Sequence, residues 1–317
     1  MHVTPSAYIR FPHSFQWCQA MLGAARRSVR IVILFSAALA TAACGGAQAR
    51  QERHMQRGME YFTAENYDKA RIEFGNALQI APQDAEARFM IGRTAEKLGK
   101  VRDAVSGYEG AIDVNPDHVQ ARANLSRVYV FAGMPDKAME VVEPGLAKHP
   151  DDADLLVSRG AARVQLKDTA GAVADAERAT QLAPGNENAV ALLASLYRQT
   201  DSPQKAVGLL EKATARIPQS VDLRLVLASL YASLNDADKA KSTLREIVRL
   251  KPANVAYRVQ LALLHARLKE TDEAQRVLRE GVDQMPKDRG MKLAYVDFVA
   301  AQRGLPEGEK ALREFIA

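Results

Sequence analysis

An all-α solenoid of two-helix repeats is predicted by three observations in the sequence. Seven prolines stand 34 residues apart without a slip: Pro82, Pro116, Pro150, Pro184, Pro218, Pro252 and Pro286. Twelve residues before each stands an alanine: Ala70, Ala104, Ala138, Ala172, Ala206, Ala240 and Ala274. Twelve residues before each alanine stands a small residue: Gly58, Gly92, Ser126, Gly160, Ala194, Ala228 and Ala262. Proline makes up only about 5% of ordinary sequences, so such a register does not arise by chance. A fixed period of this length marks supersecondary units that bury a continuous core only by stacking on one another.

With residue 51 as position one, seven full repeats run 51–84, 85–118, 119–152, 153–186, 187–220, 221–254 and 255–288, and a partial eighth runs from 289 to Ala317. Two antiparallel helices, A and B, approach closely only where neither carries bulk, so positions eight and twenty mark their crossing. Position 24 (Phe74, Tyr108, Val142, Ala176, Leu210, Leu244, Leu278) fills the space beside it, and position 27 is small in six repeats of seven. Ser202 and Pro203 read as an N-cap and first-turn proline opening helix B of repeat five, with Pro135 and Pro306 at the matching places in repeats three and eight. Asn66, Thr169, Asp236 and Thr271 are expected to cap the B helices of the others. The closing prolines end helix B, since proline cannot donate the bond a continuing helix needs.

These residues resemble the tetratricopeptide repeat family over residues 51–317, although the family's aromatic at position four is missing. The resemblance implies about fifteen to sixteen antiparallel helices without a β-sheet, over residues 54–317. It also implies a concave groove lined by positions two, five, nine and twelve of helix A.

Ahead of the repeats stands a leader, residues 1–43. Arg26, Arg27 and Arg30 precede the apolar run 31–40, and Thr41, Ala42 and Ala43 lead to Cys44. A basic segment, a short apolar segment and small residues describe a secretory signal peptide, too short for a bilayer span. Met21 gives a leader of ordinary length, 21–43, so 1–20 read as an overextended start. Thr-Ala-Ala-Cys resembles a bacterial lipoprotein signal in which Cys44 is lipidated, although Thr41 stands where that family has leucine. Gly45 after the cysteine implies the outer membrane of a Gram-negative cell, on its periplasmic face. Residues 44–53 read as the lipidated cysteine and a polar tether.

Charge does not point to nucleic acid. The formal +5 loses four arginines with the leader, leaving 39 basic against 38 acidic residues, a nearly neutral body. Cys18 and Cys44 lie outside the repeats, so no thiolate metal site or disulfide is expected there. The sequence has no HExxH, GxSxG or P-loop pattern. His54, His118, His149 and His265 fall in different repeats and do not converge. His265 takes the position of Tyr61, Tyr129, Tyr197 and Tyr231, a packing position. Asp151 and Asp152 read as caps of a helix A. No cofactor, metal or catalytic residue is expected, and the chain reads as a non-enzyme.

The groove is the surface expected to bind. Its positions give an apolar N-terminal end (Met55, Met59, Phe62, Phe89), a middle with Arg93, Arg127 and Arg198 beside Glu86 and Glu96, and an aliphatic end (Leu225, Val259, Leu263, Leu293). Methionines and aromatics suit an apolar peptide segment, and spaced arginines suit carboxylates. The chaperone-binding clamp of some tetratricopeptide domains is absent from these positions. The whole resembles tetratricopeptide lipoproteins of exopolysaccharide and PEP-CTERM sorting systems, most in residues 67–82; lipoproteins of type IV pilus and outer-membrane protein assembly share the layout. That resemblance implies a lipid-anchored scaffold with protein partners in the groove and the membrane at Cys44. Two rivals remain: part of a longer chain with an enzyme domain, and a carbohydrate-binding solenoid using Phe62, Phe89 and Phe131.

Overall fold

The computed structural model describes residues 46–200 and 202–316, which form sixteen helices and no strand. The leader and Cys44 lie outside the described residues. The chain divides between His118 and Val119 into two compact units. The first holds α1 (46–63), α2 (Tyr67–Ile80), α3 (Ala85–Lys97) and α4 (Val101–Val114). The second runs from α5 (Val119–Phe131) through α6 (Pro135–Lys148), α7 (Ala153–Gln165), α8 (Thr169–Leu182), α9 (Glu187–Gln199) and α10 (Pro203–Arg216). It continues through α11 (Val221–Ser233), α12 (Ala237–Leu250), α13 (Val255–Arg267), α14 (Thr271–Gln284), α15 (Arg289–Arg303) and α16 (Leu305–Ile316). Each odd helix is an A and each even helix a B. In the second unit every B from α6 to α14 packs against its own A and the next A, so each pair covers the apolar face of its neighbour.

One expected tether is helix. Residues 46–53 form the first turns of α1, continuous with repeat one, because Ala47, Gln48, Ala49, Arg50, Gln51 and Glu52 are strong helix formers.

The crossing of A and B lies where the small residues place it. All seven alanines at position twenty are at most 1% exposed. A methyl group built on Gly92 would lie 2.7 Å from the Tyr108 ring and 3.1 Å from the Ala104 carbonyl, so position eight touches both twenty and 24. Position 24 is buried in all seven repeats, at most 8% exposed, which for its larger members is worth roughly 1.5–3 kcal/mol each.

Capping follows a rule that the sequence reading caught only in part. Position 34 caps helix A: Asp84 accepts from the Ala87 N–H at 3.0 Å, Asp152 from Leu155 at 2.9 Å, Asn186 from Ala189 at 3.1 Å and Ser220 from Leu223 at 3.2 Å. Asn254 and Asp288 act alike, and only His118 departs from the Asp, Asn and Ser pattern. Among B helices Asn66 and Asp236 cap as expected. Thr169 and Thr271 do not: each is already the first helical residue, one place past the N-cap, whose side chain is the one that reaches the free N–H groups of the first turn. Asp168 caps α8, and Glu270 stands at the N-cap of α14 without a capping bond from its side chain, which is turned to Lys241 and His265 instead. Ser202 is an N-cap in position only, ahead of Pro203 in the first turn.

The turn from A to B requires a left-handed residue at position 15. Gly99 and Gly133 supply it with φ of 71°, but Glu65, Lys167, Asn235 and Lys269 hold φ between 57° and 64°. The turn closes through paired bonds such as the Asp168 N–H to the Arg163 carbonyl at 2.9 Å. A Cβ in this region costs roughly 1 kcal/mol, least for asparagine. Lys167→Gly is therefore expected to raise stability by about 1 kcal/mol and Asn235→Gly by much less. Thermal unfolding of the two variants checks this.

Position eleven pairs with position nineteen. Where eleven is tyrosine, nineteen is lysine, and the ammonium lies over the ring: Lys69 on Tyr61, Lys137 on Tyr129, Lys205 on Tyr197 and Lys239 on Tyr231, at 5.1–5.7 Å from the ring centre. The Tyr197 and Tyr231 hydroxyls donate to Glu177 and Glu211 of the preceding repeat at 2.8 and 2.5 Å. Burial and that carboxylate push Tyr197 up to about 12 and shift Tyr231 the same way. His265, 1% exposed, is bonded through Nδ1 to Glu270 at 2.6 Å and packs as the sequence predicts.

Candidate functional site

The groove of the second unit holds a pocket of about 360 Å³ between α9 and α11. Its cause is a change in side-chain size. Position nine, Met59 and Arg93 in the first two repeats, is Ser195 and Ser229 here, and position five, Met55 and Phe89 there, is Ala191 in repeat five while Leu225 stays large in repeat six. The floor is apolar and closed: Leu210 of α10 is 0% exposed, with Leu230 and Ala194 beside it. Leu225 and Val226 form one wall, and Ser195, Ser229 and Arg198 bring polar atoms to the lining. The size lies within the 300–1,000 Å³ of ordinary ligand pockets. Arg198 is exposed and makes no hydrogen bond or ion pair among the described residues. A free guanidinium over an apolar floor suits a carboxylate attached to an apolar group, since its fork pairs two oxygens at once. From the pocket the aliphatic strip continues through Val259, Leu263 and Leu293, the last two exposed.

The other expected site residues separate. Arg127 is exposed on α5, where it donates to Asn124 Oδ1 at 3.4 Å. In the first unit Met59 is exposed and Met55 half-buried. Phe62 is half-buried, edge-on to Tyr67 with ring centres 5.4 Å apart. Arg93 lies over Phe62 at 4.9 Å and over Phe89 at 5.7 Å, so its charge is already engaged by two rings. Phe89 is not a groove contact: only 2% exposed, its ring is packed against Tyr108 at 5.8 Å and His118 at 4.8 Å. Tyr108 in turn donates to Glu96 at 2.8 Å, and Glu86 lies 3.5 Å from His118. Phe131 is 90% exposed on α5. The pocket residues Ala191, Ser195 and Ser229 were not among the expected site residues, which were large groove side chains; the signal was the pair of serines at position nine with Ala191 at position five.

Comparison with known proteins agrees with the repeat fold. The tetratricopeptide repeat family model matches residues 97–157 and 199–258. These are tetratricopeptide repeats. A solved thermophilic tetratricopeptide protein of Thermus thermophilus aligns with 26% identity and a TM-score of 0.52, over 57% of this chain and 99% of its own. The type IV pilus biogenesis factor PilW aligns with a TM-score of 0.54 at 18% identity, over 64% of this chain and 94% of its own, a likeness of fold. Cellulose synthase operon protein C of Pseudomonas fluorescens SBW25 is 26% identical over 137 residues, 41% of this chain and 10% of that protein. The chain spans between 10% and 31% of the length of the curated relatives it matches.

Proposed function

We propose that this tetratricopeptide protein is a lipid-anchored scaffold of a bacterial envelope assembly or export system. In this proposal its pocket in repeats five and six grips a partner segment carrying an apolar side chain beside an acidic group. The observation that carries the binding mode is Arg198, which has no partner among the described residues and stands beside a floor of Leu210, Leu230 and Ala194. The leader ending in Ala43 and Cys44 supports the anchor at the periplasmic face of the outer membrane. The likenesses to a type IV pilus factor and to a cellulose synthase operon protein support an envelope role, with polysaccharide export the preferred pathway.

Arg198→Glu is expected to weaken partner capture about tenfold or more, since a charge-assisted bond contributes roughly 1.5–3 kcal/mol and repulsion adds to its loss. Ser195→Phe should fill the pocket and abolish capture while helical content stays unchanged. Added salt should weaken the wild type through screening. The measurement is quantitative pull-down from envelope extract; equal recovery by wild type and both variants overturns the binding mode. Mass spectrometry of the mature N-terminus tests the anchor, and an unmodified Cys44 ends it.

A further inference from the structure

We propose that the groove of repeats five to eight receives one amphipathic α-helix of a partner protein, held at its two ends by opposite charges, Arg198 on α9 and Asp297 on α15. This rests on the groove-binding reading above and adds the partner's conformation, its length and a second charged contact. Asp297 is the observation that carries it. It stands at position nine, which holds Ser195, Ser229 and Leu263 in the three repeats before, and it is the only acid at that position in the chain. It is exposed and makes no hydrogen bond or ion pair among the described residues. Its exposure belongs to the position: Ser229 is exposed and Leu263 is 45% exposed, although a further A helix follows each of them. Nor does its charge serve α15 itself. Asp297 lies in the middle of that helix, with Asp288 as the N-cap, and a helix dipole acts on the first and last turns.

Between the two charges the groove is aliphatic. Leu225, Val226, Val259 and Leu263 line it, and Val226, like Leu263, is more than a third exposed. Position twelve, arginine in α9, is alanine in the next three A helices (Ala232, Ala266 and Ala300), so a partner's backbone can come close. Neighbouring helices stand about 8–10 Å apart, so the three steps from α9 to α15 cover roughly 25–30 Å. That is the length of a helix of about eighteen residues or of an extended segment of about eight. The floor decides between them. An extended segment of that length brings about sixteen backbone N–H and C=O groups. At positions five, nine and twelve the floor between the charges offers only the Ser195 and Ser229 hydroxyls. The remaining backbone groups would be stranded against leucine and valine. A helix satisfies its own backbone and needs only an apolar stripe at i, i+3, i+4 and i+7. The partner helix therefore carries such a stripe, an acidic residue near the end at Arg198 and a basic one near the end at Asp297. Without backbone bonds to the groove, the two charges alone set which way it lies.

The test is fluorescence anisotropy at low salt with a synthetic helix of about eighteen residues as probe, its leucine stripe flanked by a glutamate at one end and a lysine at the other. The wild type should bind it, and the probe's circular dichroism should become more helical. Arg198→Asp and Asp297→Arg should each weaken binding about tenfold, through loss of one pair and like-charge repulsion. The double variant R198D/D297R should restore it to within about threefold, because the probe can turn end for end and meet both charges again. A probe with a central proline, which breaks the helix but permits an extended chain, should bind about tenfold more weakly. Loss with Arg198→Asp while Asp297→Arg binds like the wild type overturns this inference and leaves the pocket reading standing. If neither substitution matters, both fall. A double variant without rescue, or a proline probe that binds as well as the helix, overturns the inference. So does a wild type that ignores the probe, and the pull-down with Arg198→Glu then decides the pocket reading by itself.

Discussion

Asp175→Ala should lower the stability of the second unit by about 3 kcal/mol, the low end for breaking a buried ion pair. Asp175 lies in the core between α7 and α8, 4% exposed. Arg159 donates to it through both Nε, at 3.0 Å, and Nη2, at 2.7 Å, and Arg163 adds a third bond at 2.8 Å. The paired carboxylate holds Arg159 firmly charged, raising its pKa. Removing it leaves two guanidiniums, each about a fifth exposed, with Glu143 and Asp168 at 3.5 Å and the Gly171 carbonyl at 3.3 Å for compensation. The neighbouring repeat shows what would restore the loss. Where repeat four has Arg159, Arg163 and Asp175, repeat five has Leu193, Tyr197 and Leu209. The triple variant R159L/R163Y/D175L should equal or exceed the wild type, because apolar residues of similar volume replace a buried ionic cluster without loss. Its new tyrosine would find Glu143, which holds the place from which Glu177 and Glu211 accept a tyrosine hydroxyl. Denaturant titration of the two variants decides this. A single variant as stable as the wild type would mean that the cluster contributes nothing, and a triple variant as weak as the single one would mean that repeat four cannot repack.

The ion cluster also shows where sequence reasoning stops. Positions eight, twenty and 24 were legible because steric exclusion at the helix crossing acts alike in every repeat and so leaves a period. Arg159, Arg163 and Asp175 break the period at three places that look unrelated in sequence, and only folding brings them within 3 Å. The caps at position 34 were periodic too, yet Thr169 and Thr271 drew the B-helix assignment one residue late, since threonine and an acidic residue side by side offer two oxygens of similar reach. One groove residue departs from the sequence expectation. Phe89 sits at a groove position but sinks against Tyr108 and His118, because an apolar ring gains more from burial than from lining a wet surface. The pocket beside Arg198 is made by what Ala191, Ser195 and Ser229 lack, and small residues carry no chemistry to attract notice.

Gly107→Leu should be among the most damaging single changes in the first unit, at about 3 kcal/mol, the upper part of the usual range for overpacking. Gly107 on α4 faces Gly92 on α3 so closely that a methyl group there would lie 2.6 Å from the Gly92 Cα and N atoms and 3.0 Å from the Arg88 carbonyl. The obstacle is backbone, which cannot rotate aside as a side chain can. Even Gly107→Ala should destabilise, although alanine by itself favours a helix by about 1 kcal/mol over glycine. Gly75 and Gly208 separate the two effects. Both lie inside helices, α2 and α10, and an added methyl meets nothing within 4 Å at either. Gly75→Ala and Gly208→Ala should therefore each gain up to about 1 kcal/mol, the helix preference without the clash. Repeats couple mainly to their neighbours, so hydrogen exchange in Gly107→Leu should quicken first in α3 and α4 and leave α9 to α14 protected. If Gly107→Ala proves as stabilising as Gly208→Ala, the two backbones are not in contact, and the close approach assigned to repeat two is wrong.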